Sequence, residues 1–229
     1  GLYMFDLHGR VAVVTGGSAG LGKGIAIALA RQGADIALLA RRMDKLEEAA
    51  KDIESLGVKC VPVQCDISSQ ESVDNAVEEV MNRFGKVDIL FNNAGNGGPP
   101  YPVEEYPMEV FEKVVNLDLV SLFRVMQAFG KKMVEAGYGR IINIASAMGM
   151  VANLDVPLPG YHAAKGGVIN LTRCGASDWA TKGITCNAIC PGMFESESNS
   201  AEFMETQMDF IRRITPMQRP GTPTTMDSF

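Results

Sequence analysis

Tyr161 and Lys165, in the stretch "GYHAAKGG" (residues 160–167), are a phenol and an ammonium four positions apart with small residues around them. On a helix, residues i and i+4 share a face, so both groups could act on one bound molecule. A tyrosine with an unperturbed pKa near 10 handles protons poorly at neutral pH, but a neighbouring ammonium favours its phenolate. Such a pair could give a proton to an oxygen that is becoming a hydroxyl, or take one from a hydroxyl that is becoming a carbonyl. The same spacing also suits an aromatic anchor and a solvated cation that happen to share a face, so the rest of the chain must decide. His162 points about 100° away from Tyr161 on a helix and is read as structural or surface.

A second cluster lies in "TGGSAGLGKGIA", beginning at Thr15. Gly16, Gly20 and Gly22 have the spacing GxxxGxG, directly after an apolar run and at the opening of an apolar helix. Missing side chains let main chain approach a pyrophosphate, and the free N–H groups of a helix start favour an anion. A tight turn that binds nothing is the alternative; the strand-to-helix context favours a dinucleotide. Further on, "LLARRMDK" places Ala40 and Arg41, with Arg42 next, where an acidic side chain would receive an NAD ribose, and no carboxylate follows until Asp44. Arginine suits a 2′-phosphate, which points to NADP(H), with Arg41 the leading contact and Arg42 the second. NAD(H) and two solvated arginines remain the alternatives.

The elements that would hold these groups follow from the hydrophobic pattern. Val- and Ile-rich runs at 10–16, 34–40, 58–66, 86–94, 139–146 and 183–192 read as strands, and the segments 21–32, 44–56, 69–84, 107–136 and 161–182 read as helices. "SSQESVDNAVEEVMNRFG" opens on a capping serine and stops at Gly85. Alternation of this kind predicts an α/β fold: one doubly wound, Rossmann-type domain over 1–229, with a mostly parallel sheet of at least six strands flanked by helices. No tandem repeat or composition break divides it, and residues 193–215 are expected to form a substrate-loop region.

Bulk properties narrow the field. The chain of 229 residues has 46% hydrophobic and 21% charged residues, which excludes a disordered protein. A net charge of -6 offers no general attraction for nucleic acid or an anionic membrane. No stretch approaches the roughly 18 apolar residues of a membrane span. The five cysteines, 60, 65, 174, 186 and 190, are an odd number without a CxxC pair, suggesting neither a disulfide framework nor a zinc site. A cytoplasmic, reduced protein without a metal is expected, and Gly1, Leu2 and Tyr3, ahead of Met4, are set aside as an expression remnant.

Together, the turn from Thr15 to Gly22, "NNAG" at Asn92 to Gly95, the asparagine of "VNLDL", Ser146 at a strand end and "YHAAK" resemble the short-chain dehydrogenase/reductase family over residues of about 5 to 222. Within it the chain looks most like gluconate 5-dehydrogenases and 3-oxoacyl reductase-type members. The resemblance implies cofactor contacts from Thr15, Gly16, Ser18, Gly20, Leu21 and Gly22, from Asp66 and Ile67 near the adenine, from Asn93, Ala94 and Gly95, and from Pro191, Gly192 and Ser196 near the nicotinamide. It assigns the chemistry to Asn116, Ser146, Tyr161 and Lys165: Tyr161 exchanges the proton, Lys165 also binds the nicotinamide ribose, Ser146 orients the substrate oxygen and Asn116 supports a relay water. Ser146 and Tyr161 stand two positions farther apart than is usual in the family, within "MVANLDVPLPG". The family pattern also runs past "TTMDSF" into a further helix and strand, which in this sequence look truncated. The resulting expectation is an NADP(H)-dependent ketone/secondary-alcohol oxidoreductase, acting on a small molecule such as a sugar acid or polyol, as a homodimer or homotetramer. A 3-oxoacyl-thioester reductase and a nucleotide-binding sensor without turnover are the alternatives.

Overall fold

The computed structural model describes residues 5–152, 156–194 and 201–222, apart from the side chains of 201–204. The apolar runs carry almost no alternation, so strands built from them must be covered on both faces. They form β1 (Val11–Thr15), β2 (Asp35–Ala40), β3 (Cys60–Gln64), β4 (Ile89–Asn92), β5 (Gly139–Ile144) and β6 (Ile184–Ile189). All pair in parallel, in the order β3-β2-β1-β4-β5-β6. Every residue of β1 is buried.

Helices α1 (Gly20–Arg31), α2 (Met43–Glu54), α3 (Gln70–Phe84), α4 (Met108–Val115), α5 (Ser121–Ala136), α6 (Pro159–Trp179) and α7 (Ala201–Ile214) complete the described architecture. One core layer joins Ile25, Leu46 and Ile53 to Ile36 and Leu38; the other joins Val73, Val80, Phe129 and Met133 to Val63 and Ile141. Helices therefore cover both faces, and strand order reverses between β1 and β4, opening a crevice at the carboxyl ends of these strands. Burial pushes the thiol of Cys60 up to about 12 and those of Cys65 and Cys186 up to about 11, so these behave as small apolar core residues.

Local signals set both ends of α3. Ser69 Oγ accepts the Ser72 N–H at 3.2 Å to cap α3, and Gly85 ends that helix at φ 75°. Two segments differ from the sequence expectation. The helix expected over 107–136 is broken by a π-helical turn over Asn116–Val120. There the Ser121 hydroxyl donates to the Asn116 carbonyl at 2.9 Å and the Asn92 side-chain amide donates to the Leu122 carbonyl at 2.9 Å, binding carbonyls of the altered ladder from outside it. The expected loop over 193–215 contains α7, with Ile211 fully buried.

Candidate active site

At the crevice, β1 and β4 are tied together by Thr15. Its buried hydroxyl accepts the N–H groups of Asn93 at 2.9 Å and Ala94 at 3.2 Å, while the Asn93 amide reaches back to the Thr15 carbonyl at 3.4 Å. Gly16 and Gly20 then turn the chain through φ 63° and 55°, the left-handed region that favours glycine. At Gly22 the requirement is steric: a Cβ would lie 2.2 Å from the Gly16 carbonyl oxygen and 2.7 Å from Asn93 Nδ2. The first turn of α1 carries no acidic residue and its N-cap, Ala19, makes no side-chain cap. Bare main chain at the positive end of a helix, with Ser18 and Leu21 half-buried beside it, fits the pyrophosphate of a dinucleotide.

The flanking cofactor candidates divide by what already engages them. Arg42 is spent on Asp44, with an Nη2–Oδ2 distance of 2.8 Å, whereas exposed Arg41 forms no ion pair among the described residues. Asp66 accepts the backbone N–H of Ser68 at 2.9 Å and its hydroxyl at 2.6 Å, and these bonds hold its carboxyl below the usual range. Ile67 is buried, its carbonyl accepting Arg124 Nη1 at 2.8 Å. The Pro191 carbonyl accepts the Ala147 N–H at 3.0 Å, bringing the Pro191–Gly192 segment beside the end of β5. Ser196 lies outside the described residues.

Beyond β5, Ser146 is only 8% exposed and caps a short turn by accepting the Met148 N–H at 3.2 Å. Despite the longer intervening segment, the Ser146 hydroxyl comes beside the Tyr161 phenol, near the start of α6. Burial pushes the Tyr161 phenol up, the Ser146 hydroxyl pulls it down and the Asp118 carboxyl pushes it up again. One turn on, Lys165 is 3% exposed; its Nζ donates to the Ile144 carbonyl at 2.9 Å and stands 5.5 Å from the centre of the Tyr161 ring. Burial lowers the Lys165 pKa, against the opposing influence of Asp118 and Cys190. His162 turns back onto the Leu158 carbonyl, 2.8 Å from Nδ1.

Asn116 does not join this group. It is exposed at the start of the π turn, and two residues later Asp118 enters the site instead, fully buried. The physical reason is the inward stripe of this helical segment, which runs through Val114, Asp118, Leu122, Val125 and Phe129 and bypasses position 116. A carboxylate in the middle of that apolar stripe was the signal available in the sequence. Asp118 Oδ1 accepts the Asn96 N–H at 2.6 Å, and burial pushes its carboxyl up against the opposing pull of that bond and of Lys165. Gly95 lies against both charged groups: a Cβ there would be 3.1 Å from Asp118 Oδ1 and 3.3 Å from Lys165 Nζ.

A turn shaped for a dinucleotide thus stands at the same carboxyl end of the sheet as a buried hydroxyl, a half-buried phenol and a buried ammonium, the donors that carbonyl reduction requires. Residues 10–207 match the family model described as short chain dehydrogenase. The chain is 37% identical to 2-dehydro-3-deoxy-D-gluconate 5-dehydrogenase of Pseudoalteromonas atlantica, over 97% of this chain and 87% of that protein. It is 36% identical to 2-dehydro-3-deoxy-L-rhamnonate dehydrogenase (NAD(+)) of a Sphingomonas species, over 93% of this chain and 83% of that protein. The crystal structure of a short-chain type dehydrogenase/reductase from Mycobacterium marinum superposes with a TM-score of 0.93 at 30% identity, covering 99% of this chain and 89% of that one. The chain belongs to the short-chain dehydrogenase/reductase family, and its chemistry is that of a nicotinamide-dependent oxidoreductase acting between CH–OH and C=O.

Proposed function

We propose that this protein interconverts a ketone and a secondary alcohol on a sugar acid or polyol, using NADP(H). The observation that carries the reading is the convergence of Ser146, Tyr161 and Lys165 at the edge that also holds the Gly16–Gly22 turn. Thr15, Gly16, Ser18, Gly20, Leu21 and Gly22 hold the pyrophosphate on main chain, Asp66, Ile67 and Asn93–Gly95 line the adenosine side, and Pro191, Gly192 and Ser196 approach the nicotinamide. When bound, the cofactor supplies or accepts the hydride.

The remaining work falls to side chains. Tyr161 donates its phenolic proton to the carbonyl oxygen in reduction and takes the hydroxyl proton in oxidation. Ser146, beside Tyr161, presents the same oxygen with a second donor. The Lys165 ammonium beside the ring favours the phenolate, and its remaining N–H groups suit ribose hydroxyls. Arg41 meets the 2′-phosphate, a reading supported by its freedom from ion pairs among the described residues and by the absence of a carboxylate at the end of β2.

A sugar-acid substrate is supported by the names of the two relatives above. Purified protein assayed with NADPH or NADP⁺ against keto-sugar acids, aldonic acids, polyols and a 3-oxoacyl thioester tests the assignment. Turnover of a sugar acid or polyol is expected; preference for the thioester, or tight NADPH binding without any turnover, would overturn it.

A further inference from the structure

We propose that Asp118 is a positioning residue for the proton-handling pair: it is the buried counter-charge to Lys165, and it sets the pH at which Tyr161 and Lys165 release their first proton. The inference rests on reading Tyr161 as the group that exchanges the proton.

The π turn that interrupts the α4–α5 segment delivers Asp118 to this place, and such turns recur at functional sites. Its carboxyl is 0% exposed; Oδ1 accepts the Asn96 N–H, but Oδ2 has no hydrogen-bond partner. Asp88, the other buried aspartate among the described residues, is handled differently. Near the opposite, amino end of the sheet it receives Arg10 and Lys86, each at 3.1 Å, and the Val11 N–H at 2.8 Å. A buried carboxylate is costly unless paired, and Asp88 meets that requirement where Asp118 meets it only in part.

The missing charge is close by. Lys165 Nζ and Asp118 Oδ1 crowd the same point beside Gly95, and the one described hydrogen bond of Lys165 goes to a neutral carbonyl. The surrounding elements add little else that titrates: α6 brings Tyr161 and Lys165, the end of β6 brings Cys190, Ser146 offers a hydroxyl, and the segment after β4 offers Asn96 main chain. With Asp118 ionised, Lys165 charged and Tyr161 protonated, the cluster is neutral and must become anionic to lose a proton. An asparagine at 118 would leave the cluster at +1, from which a proton departs more readily whichever side chain releases it. The Asp118 charge accordingly raises the pKa of both Tyr161 and Lys165.

Asp118→Asn keeps an oxygen for the Asn96 N–H and removes the charge. Tyrosine labelled with carbon-13 at Cζ reports phenolate formation by NMR in the cofactor-free protein, the Tyr161 resonance being assigned by its loss in Tyr161→Phe. The Tyr161 midpoint is expected to fall by on the order of one pH unit in Asp118→Asn, with the same displacement in the pH profile of kcat/KM for alcohol oxidation. A midpoint that stays or rises overturns the proposal. The resonance does not depend on turnover, so a shifted midpoint without activity on any alcohol or ketone sinks the functional reading alone, while turnover with an unmoved midpoint sinks the role of Asp118 alone. If Asp118→Asn does not fold, carboxyl-labelled Lys165→Met reads the same linkage from the other side: Asp118 should titrate on the order of one pH unit higher than in the unmodified protein, and an unchanged value overturns the proposal.

Discussion

At the β1–α1 turn the surface proposed for the cofactor is main chain, left bare because Gly16, Gly20 and Gly22 carry no side chains. At the β5–α6 end it consists of a hydroxyl, a phenol, an ammonium and a carboxyl, all buried or half-buried. The first region works by steric permission: a methyl group at Gly22 has nowhere to go. The second works by electrostatic balance, since burial raises Tyr161 and Asp118 while lowering Lys165, and each group changes the charge its neighbours can hold. A change at the turn should therefore alter binding and stability, whereas a change at the proton-handling end should alter rate and pH dependence.

The sharpest separation comes from Tyr161→Phe, which deletes the proton donor and keeps the ring. Turnover should fall roughly 10²- to 10⁴-fold, as expected for loss of a positioned acid–base group, with NADPH affinity within a few-fold of the original. Steady-state kinetics with fluorescence binding checks both, and a parallel loss of affinity would erase the distinction between the two regions.

Gly22→Ala addresses the other region. Its Cβ would meet the Gly16 carbonyl at 2.2 Å, which forces backbone apart; a destabilisation of about 1–3 kcal/mol, with weakened NADPH binding, is expected from thermal and denaturant unfolding and titration. Gly166→Ala in α6 is the control, because the added methyl lies an ordinary 3.6 Å from the Gly149 carbonyl and improves helix propensity. Equal destabilisation by both would argue that the turn is not sterically special.

A smaller effect belongs to Arg41→Ala. Losing one exposed, charge-assisted contact should weaken NADPH by about tenfold, roughly 1.4 kcal/mol, and leave NADH nearly unchanged. Isothermal titration with both cofactors measures it; equal losses would remove the 2′-phosphate from the role of Arg41. Arg42→Ala should do less, because its guanidinium is already engaged by Asp44.

The strands and both ends of α3 were legible in the sequence because they depend on local chemistry: unbroken aliphatic runs, the Ser69 cap and the Gly85 stop. The Gly16–Gly22 turn was legible for the same reason, and so was the Tyr161–Lys165 spacing. Asn116 was misplaced because a motif read as letters ignores which face of the helix points inward; the apolar period through Val114, Leu122 and Val125 favours Asp118. The π turn is held partly by Ser121 nearby, which donates to the Asn116 carbonyl, and partly by Asn92 of β4, distant in the chain, which takes the Leu122 carbonyl just beyond it.

By itself, the sequence determined which residue types could carry proton transfer, which turn could accept a pyrophosphate, and the parallel α/β frame, all consequences of spacing, side-chain chemistry and periodicity. Only the tertiary structure decided which of two neighbouring polar residues meets Lys165, that Ser146 reaches Tyr161 across a lengthened segment, and that Arg42 is engaged by Asp44 while Arg41 is not. Those outcomes depend on side-chain direction, burial and contacts between elements distant in the chain, and local residue order does not encode them.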